Sequence, residues 1–353
     1  MKILITGGCG FVGSNLAILL KTQYPNYTII CFDNLSRRGS ELNLKRLLAN
    51  DIKFVHGDIR HKADLQKTGP VNLIIEAAAE PSVLAGAGSD IEYLIDTNLN
   101  GTINALYMAK EWNAGFIFLS TSRVYPINHL EKIEYTQTDS RLIIADNQTI
   151  NGLTNKGISE NFPLDGVRSL YGATKLSSEY LIQEFAYNFG VKAVINRCGV
   201  LTGPYQMGKI DQGVVVLWMA KHFWKGNLDY IGFGGQGLQV RDILHVNDLF
   251  TLVDYQIKNI HKYNGNIFNV GGGLQTSVSL NELTQLCQNI SGNKINIASK
   301  AENRHADIPI YITDNTKITS QTSWQPKIGV EQIMTEIFDW LKKDEKDLKP
   351  ILS

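Results

Sequence analysis

The chain has 353 residues, 43% of them hydrophobic and 19% charged, with Lys plus Arg and Asp plus Glu each totalling 34. That composition can fill the core of one large or two fused domains and is too apolar for a disordered chain. A formal net charge of zero gives no global basic field, so nucleic acid is not indicated as a partner, although a local basic patch for a phosphorylated small molecule stays open.

Met1-Lys2-Ile3-Leu4-Ile5 runs straight into a glycine turn, which leaves no room for a signal peptide. No stretch approaches the ~18–20 apolar residues of a membrane span, so a cytoplasmic protein without a membrane partner is expected. The four cysteines, Cys9, Cys31, Cys198 and Cys287, are far apart and lack metal-ligand spacing. They are expected to be buried thiols, and no metal is expected.

Lys2–Thr6 reads as a short apolar strand, and residues 13–22 as a helix. Strands follow at 27–33, 52–55 and 73–77, then a helical periodicity at 98–112 and a strand at 115–120. Near-continuous apolar strands separated by helices predict a parallel sheet covered on both faces, wound in the doubly wound sense. Residues 126–168 break the rhythm with Asn, Thr, Asp and Gly, the pattern of a functional or mobile insertion. A helix at 171–187 and a strand at 192–196 resume it. The expected fold class is α/β, a doubly wound parallel (Rossmann) sheet with a smaller C-terminal α/β domain. Residues 1–200 form the dinucleotide-binding domain and 201–353 the substrate domain, with segments near 239–260 and 310–325 returning to the first.

The turn Gly7-Gly8-Cys9-Gly10-Phe11-Val12-Gly13 fits both G-x-G-x-x-G and G-x-x-G-x-x-G. Such glycines allow the tight turn, the approach of a pyrophosphate, and contact of helix with strand, while the helix N-terminus offers N–H donors. Asp33 ends the next strand 20 residues beyond Gly13. An acid there bonds both ribose hydroxyls and repels a 2′-phosphate, which favours NAD over NADP; Arg37 and Arg38 follow closely and leave the other cofactor open. Asp58 and Ile59, after the third strand, suit either an adenine edge and face or a helix cap.

Tyr171 and Lys175 are four apart on a helix, hence on one face. A nearby ammonium lowers the phenol's ordinary value near 10 toward that of a usable base. The strand around Phe116 to Ser120 runs out in the hydroxyls Thr121 and Ser122, at the strand end where ligands sit in such sheets.

Together with Arg241-Asp242-Ile243-Leu244-His245-Val246, these segments resemble the extended short-chain dehydrogenase/reductases that act on nucleotide sugars, over nearly the whole chain. Asp33 to Gly39, Asp211-Gln212-Gly213 and Gln239 to Asp242 resemble, within that family, the 2-epimerases of CDP-paratose and CDP-tyvelose. The resemblance implies Thr121, Tyr171 and Lys175 as catalytic residues. For NAD it implies the glycine turn (Gly7, Gly10, Phe11, Val12, Gly13), Asp33, Asn34, Arg37, Asp58 and Ile59. The strand-end residues Ala77, Ala78 and Ala79, together with Asn98, Tyr171 and Lys175, complete that set. For a nucleotide-sugar partner, CDP-linked by preference, it implies Ser82, Thr121, Ser122, Arg123 and Asn196, with Gln212, Gly213, Arg241 and Arg304 toward the pyrophosphate. It further implies a homodimer or homotetramer and a place in lipopolysaccharide or other glycan synthesis.

The chain departs from the family pattern at several points. Ser122-Arg123 stand where 4,6-dehydratases carry Asp-Glu, Glu76 where many relatives have His, Val200 where Asn is usual, and Pro126 where Gly follows Val-Tyr. The expected activity is therefore epimerisation at carbon 2 through a transient keto-sugar. A 4-epimerase or a reductase on the same scaffold is the alternative, and a dinucleotide sensor, which tends to lose the Tyr/Lys pair, stands further off.

Overall fold

A computed structural model describes residues 1–82, 90–208, 213–304 and 307–353. The chain divides into two compact units: Met1–Val124 with Leu170–Cys198 and Leu249–Phe268, and Tyr125–Ser169 with Gly199–Asp248 and Asn269–Ser353.

The first unit is built on β1 (Lys2–Thr6), β2 (Thr28–Asp33), β3 (Lys53–His56), β4 (Leu73–Glu76) and β5 (Gly115–Thr121), joined by Ala193–Cys198 and Asn266–Val270. The sheet runs in the order Asn266–Val270, Ala193–Cys198, β5, β4, β1, β2, β3. From Ala193–Cys198 to β3 every pairing is parallel. The strand order turns between β1 and β4, the crevice where such sheets bind ligands. Helices α1 (Phe11–Gln23), α2 (Ser40–Ala49), α3 (Lys62–Gln66), α4 (Ile91–Ile95) and α5 (Gly101–Glu111) alternate with the strands, and the long helix Leu170–Phe189 precedes Ala193–Cys198.

Both faces are apolar, and alternation decides which side chain serves which. Leu4, Ile30, Phe32, Ile74, Phe116, Phe118, Ala193 and Ile195 form one core with Ala105, Leu106, Met108 and Ala109 of α5 and Ile182 of Leu170–Phe189. Their neighbours Ile3, Ile5, Cys31, Ile75 and Ile117, pointing the other way, are equally buried. A π turn at Asp96–Asn100 separates α4 from α5 and turns Asn98 inward.

In the second unit Val240–His245 pairs in parallel with Val200–Thr202 and Ile310–Tyr311 and antiparallel with Ser277–Ser279. Residues 126–168 and 310–325 were both expected with the first domain, and both fall here instead. The hairpin Leu153–Thr154/Gly157–Ile158 explains it: Ile158 donates its N–H to Ile312 O, and Asp314 donates to Ile158 O. The return to the first unit comes from Leu249–Phe268. All four cysteines are buried free thiols. Among the described residues no helix is long and apolar enough to cross a membrane, and no cluster of three His, Cys, Asp or Glu is placed to hold a metal ion.

Candidate active site

The ends of the first unit's strands carry the chemistry. β1 runs into Gly7, whose φ of +64° suits glycine. Gly10 donates its N–H to Gly7 O, and α1 begins at Phe11 with no side-chain cap and no acid in its first turn. The first N–H groups of that helix, on Phe11, Val12 and Gly13, stay directed at an incoming anion. A Cβ on Gly7 would lie 2.7 Å from Ala77 O and 2.8 Å from Ala78 Cα, so the end of β4 packs against the turn. A Cβ on Gly13 would lie 2.3 Å from Gly7 O and 2.9 Å from Gly8 Cα, both backbone. The cradle therefore fits a dinucleotide pyrophosphate. A Gly13→Ala variant is expected to lose about 1–3 kcal/mol of stability from overpacking and to retain less NAD on purification than the native protein. Chromatography of the nucleotide released on denaturation measures this.

Asp33 accepts the N–H of Cys9 (3.0 Å) and of Leu35 (2.8 Å). Burial pushes its carboxyl above the ordinary range, and those backbone donors pull against the shift. Asp58 is more fully committed. It takes the Arg60 guanidinium through both oxygens (3.0 and 2.8 Å), the Arg60 N–H (3.0 Å) and the Asn34 amide (3.1 Å). Those bonds, Arg60's first, hold its carboxyl far below the usual range. About four lone-pair sites are thereby filled, so an adenine amino group would have to displace one. Ile59 is buried against Gly101, where a Cβ would meet its Cγ2 at 2.8 Å. Arg37 gives its carbonyl to Ser40 N–H, and Ala79 is half-buried. Asn98, fully buried, accepts Glu80 N–H and donates to Glu80 O and Thr174 Oγ1. Ser82 donates its N–H to Glu80 Oε1.

Thr121, Tyr171 and Lys175 are brought together in this unit, all buried. Thr121 ends β5, and its side chain acts on the Tyr171 phenol, drawing its pKa down. Its Oγ1 also accepts Arg123 N–H (3.2 Å) from the short turn Ser122–Val124. Burial pushes the phenol up to about 12; Thr121 and the Arg123 charge pull it down, while Cys198 and Glu80 push it up. Lys175 was expected to act on that phenol. Its ammonium gives one of its three donors to Leu119 O (3.1 Å) and lies 4.4 Å from the Phe118 ring centroid.

Asn196, expected on the substrate, is fully buried and closes a reciprocal amide pair with Gln256 (2.8 Å each way). A strand-centre position turned into the core explains the difference. Sequence reading gave no role to Glu179, four beyond Lys175 on the same helix face. It receives Arg197 through Nε and Nη2 (3.0 and 2.7 Å) and the Ser120 hydroxyl. The 4-residue spacing of Tyr171, Lys175 and Glu179 was the available signal.

The remaining candidates lie in the second unit. Gly213, φ +77°, caps the helix Val214–Phe223. Gln212 lies outside the described residues. Arg241 is tied within its own unit to Asp307 (3.0 Å) and to the carbonyls of Val240 and Ile308. Arg304, half-buried, accepts Asp307 N–H on its carbonyl.

The family model described as "NAD dependent epimerase/dehydratase family" matches residues 3–271. The chain is 33% identical to CDP-paratose 2-epimerase from Salmonella typhi, an alignment that covers 96% of this chain and 99% of that protein. It is 25% identical to UDP-glucose 4-epimerase from Caenorhabditis elegans over 98% of each chain. Among solved structures it is similar to DesIV, a dTDP-glucose 4,6-dehydratase from Streptomyces venezuelae crystallised with NAD. That match has a TM-score of 0.79 and 25% identity, and it covers 99% of this chain and 100% of that one.

Proposed function

This chain belongs to the NAD dependent epimerase/dehydratase family and its cofactor is NAD, and on that premise we propose that it interconverts CDP-paratose and CDP-tyvelose by inverting carbon 2 of the sugar. The observation that carries this reading is the buried grouping of Thr121, Tyr171 and Lys175 at a strand end that continues into Ser122-Arg123. The trio can move a proton to and from a sugar hydroxyl. The residues after Thr121 supply no acid–base pair for eliminating water. Similarity to the Salmonella typhi 2-epimerase over nearly the whole chain supports carbon 2 and the CDP linkage.

NAD, when bound, would supply reversible hydride chemistry at the sugar carbon. The glycine turn and Asp33 hold the dinucleotide. Tyr171, as phenolate, takes the proton of the sugar hydroxyl through Oη, and Thr121 holds the same oxygen as it becomes a carbonyl. The keto-sugar presents its other face, and Tyr171 returns the proton when the hydride returns. The Arg123 charge, which pulls the phenol down, favours the phenolate. The nucleotide anchors the sugar while it turns, with Gly213, Gln212, Arg241 and Arg304 as the proposed contacts.

The test is incubation of the purified protein with CDP-paratose in deuterated and in ordinary water without added NADH, followed by proton NMR. Conversion to CDP-tyvelose without solvent deuterium at carbon 2 is expected. Deuterium at that carbon would rule out hydride return. No conversion of either sugar would remove the substrate assignment, and inversion at carbon 4 of a UDP-sugar would replace it.

A further inference from the structure

Parallel register sets one row of side chains across the sheet face that α5 and the helix Leu170–Phe189 cover: Phe32, Thr6, Glu76, Phe118, Ile195. Phe32, Phe118 and Ile195 belong to the hydrophobic core. Glu76 stands in the middle of that row at the end of β4, with no exposed surface. Its Oε1 accepts the Thr102 hydroxyl at 2.6 Å. Its Oε2 meets no hydrogen-bond donor among the described residues. A carboxyl so placed is costly unless a charge compensates it.

Lys175 is the buried cation whose charge acts on that carboxyl. It is 2% exposed, uses one of its three donors on Leu119 O, and stands over the ring of Phe118, the register partner of Glu76. Burial pushes the Glu76 carboxyl up to about 7, and Lys175, then Thr102, draw it back. Burial draws Lys175 below the ordinary lysine range, and Glu76 leads the groups that oppose this, ahead of Cys198 and Glu179. The other groups that face the pair are accounted for. Glu179 is taken by Arg197 and Ser120, burial pushes the Cys198 thiol up to about 12 so it stays neutral, and Thr6 and Thr102 are hydroxyls.

From this juxtaposition we infer that Glu76 is the buried counter-charge that keeps Lys175 protonated, a positioning residue that acts on Tyr171 through Lys175. The inference rests on the assignment of Tyr171 and Lys175 to proton transfer. It gives a physical role to the one strand-end residue, Glu76, that departs from the family's His. A negative charge at this point raises the pKa of every neighbour it faces, so removing it moves their titrations toward acid.

The test uses the NAD-loaded protein and two readouts. The first is the titration of Lys175 followed by NMR of ¹³C-labelled lysine side chains, assigned with Lys175→Met. The second is the pH profile of kcat. Glu76→Gln is expected to lower the Lys175 midpoint and, as the ammonium that favours the phenolate is lost, to move the rise of kcat toward alkali by about one pH unit. Thr102→Val removes the bond that favours the ionised carboxylate, so it moves each readout in the same sense as Glu76→Gln but by less, and it serves where Glu76→Gln folds poorly. A Lys175 midpoint that stays in place in both variants, or a kcat that falls equally at every pH, overturns the inference. A midpoint that moves under an unmoved profile overturns the link from Lys175 to Tyr171. Full activity in Tyr171→Phe overturns the underlying assignment instead, so the two failures are distinct.

Discussion

Tyr171→Phe is expected to lower kcat by about 10³-fold, within the range typical of lost general acid–base catalysis, while the protein keeps its fold and its NAD. The substitution removes one oxygen and no volume from a side chain that is 8% exposed. Thr121 Oγ1 retains the Arg123 N–H, while the Thr121 hydroxyl proton gives up the phenol oxygen as an acceptor, at about 1 kcal/mol. The glycine turn and Asp33, the proposed dinucleotide contacts, are untouched. Loss must therefore appear in kcat and leave KM for the sugar nearly constant, the pattern of an interaction made in the transition state alone. Steady-state kinetics with quantified bound NAD tests this. A variant within about threefold of native kcat would remove Tyr171 from the chemistry. Because burial pushes the Tyr171 phenol up to about 12, native kcat should rise with pH through neutrality as the phenolate fraction grows. The Phe variant's residual rate should lack that rise.

Much of this was legible in the sequence, and the reasons are local. Strands β1 to β5 are short apolar runs bounded by turns, and the periodicity of Leu170–Phe189 survives the Tyr and Lys it carries. The glycine turn was readable because three constraints coincide there: a tight turn, a helix start, and backbone atoms where a Cβ on Gly7 or Gly13 would stand. What escaped depended on distant partners. The strand Asn266–Val270 joins the sheet some 70 residues after its neighbour Ala193–Cys198, and nothing in its own five residues announces that pairing. Residues 126–168 looked like an insertion in the first domain because they interrupt its rhythm, yet their backbone bonds run to Ile312 and Asp314. Asn196 was placed on the substrate by the family resemblance alone, but Gln256, 60 residues on, satisfies both ends of its amide. Spacing put Lys175 on the face of Tyr171, and only the coordinates of Leu119 and Phe118 show where its ammonium goes.

Arg197→Met is expected to cost the first unit about 3–5 kcal/mol, the penalty for leaving a buried charge without its partner. Arg197 and Glu179 have side chains 3% and 1% exposed, so water cannot replace the guanidinium. The Ser120 hydroxyl remains as a single donor to the carboxylate. Glu179 lies one turn beyond Lys175 on the Leu170–Phe189 helix, and Arg197 sits on the strand beside β5. The pair therefore fastens the Tyr-bearing helix to the two strands beneath it, and loosening it should reduce kcat as well as stability. Urea unfolding with kinetics on the same samples measures both. The double variant Arg197→Met with Glu179→Leu separates the causes, since exchanging a whole buried pair for apolar side chains is often close to neutral. It should recover most of the lost stability, less about 1 kcal/mol for the orphaned Ser120 hydroxyl. If fastening the helix matters to catalysis, kcat should stay low in the double variant after stability has returned. Recovery of both together would make the pair a matter of folding alone, and a cost below about 1 kcal/mol for the single variant would show that the buried charge finds another partner.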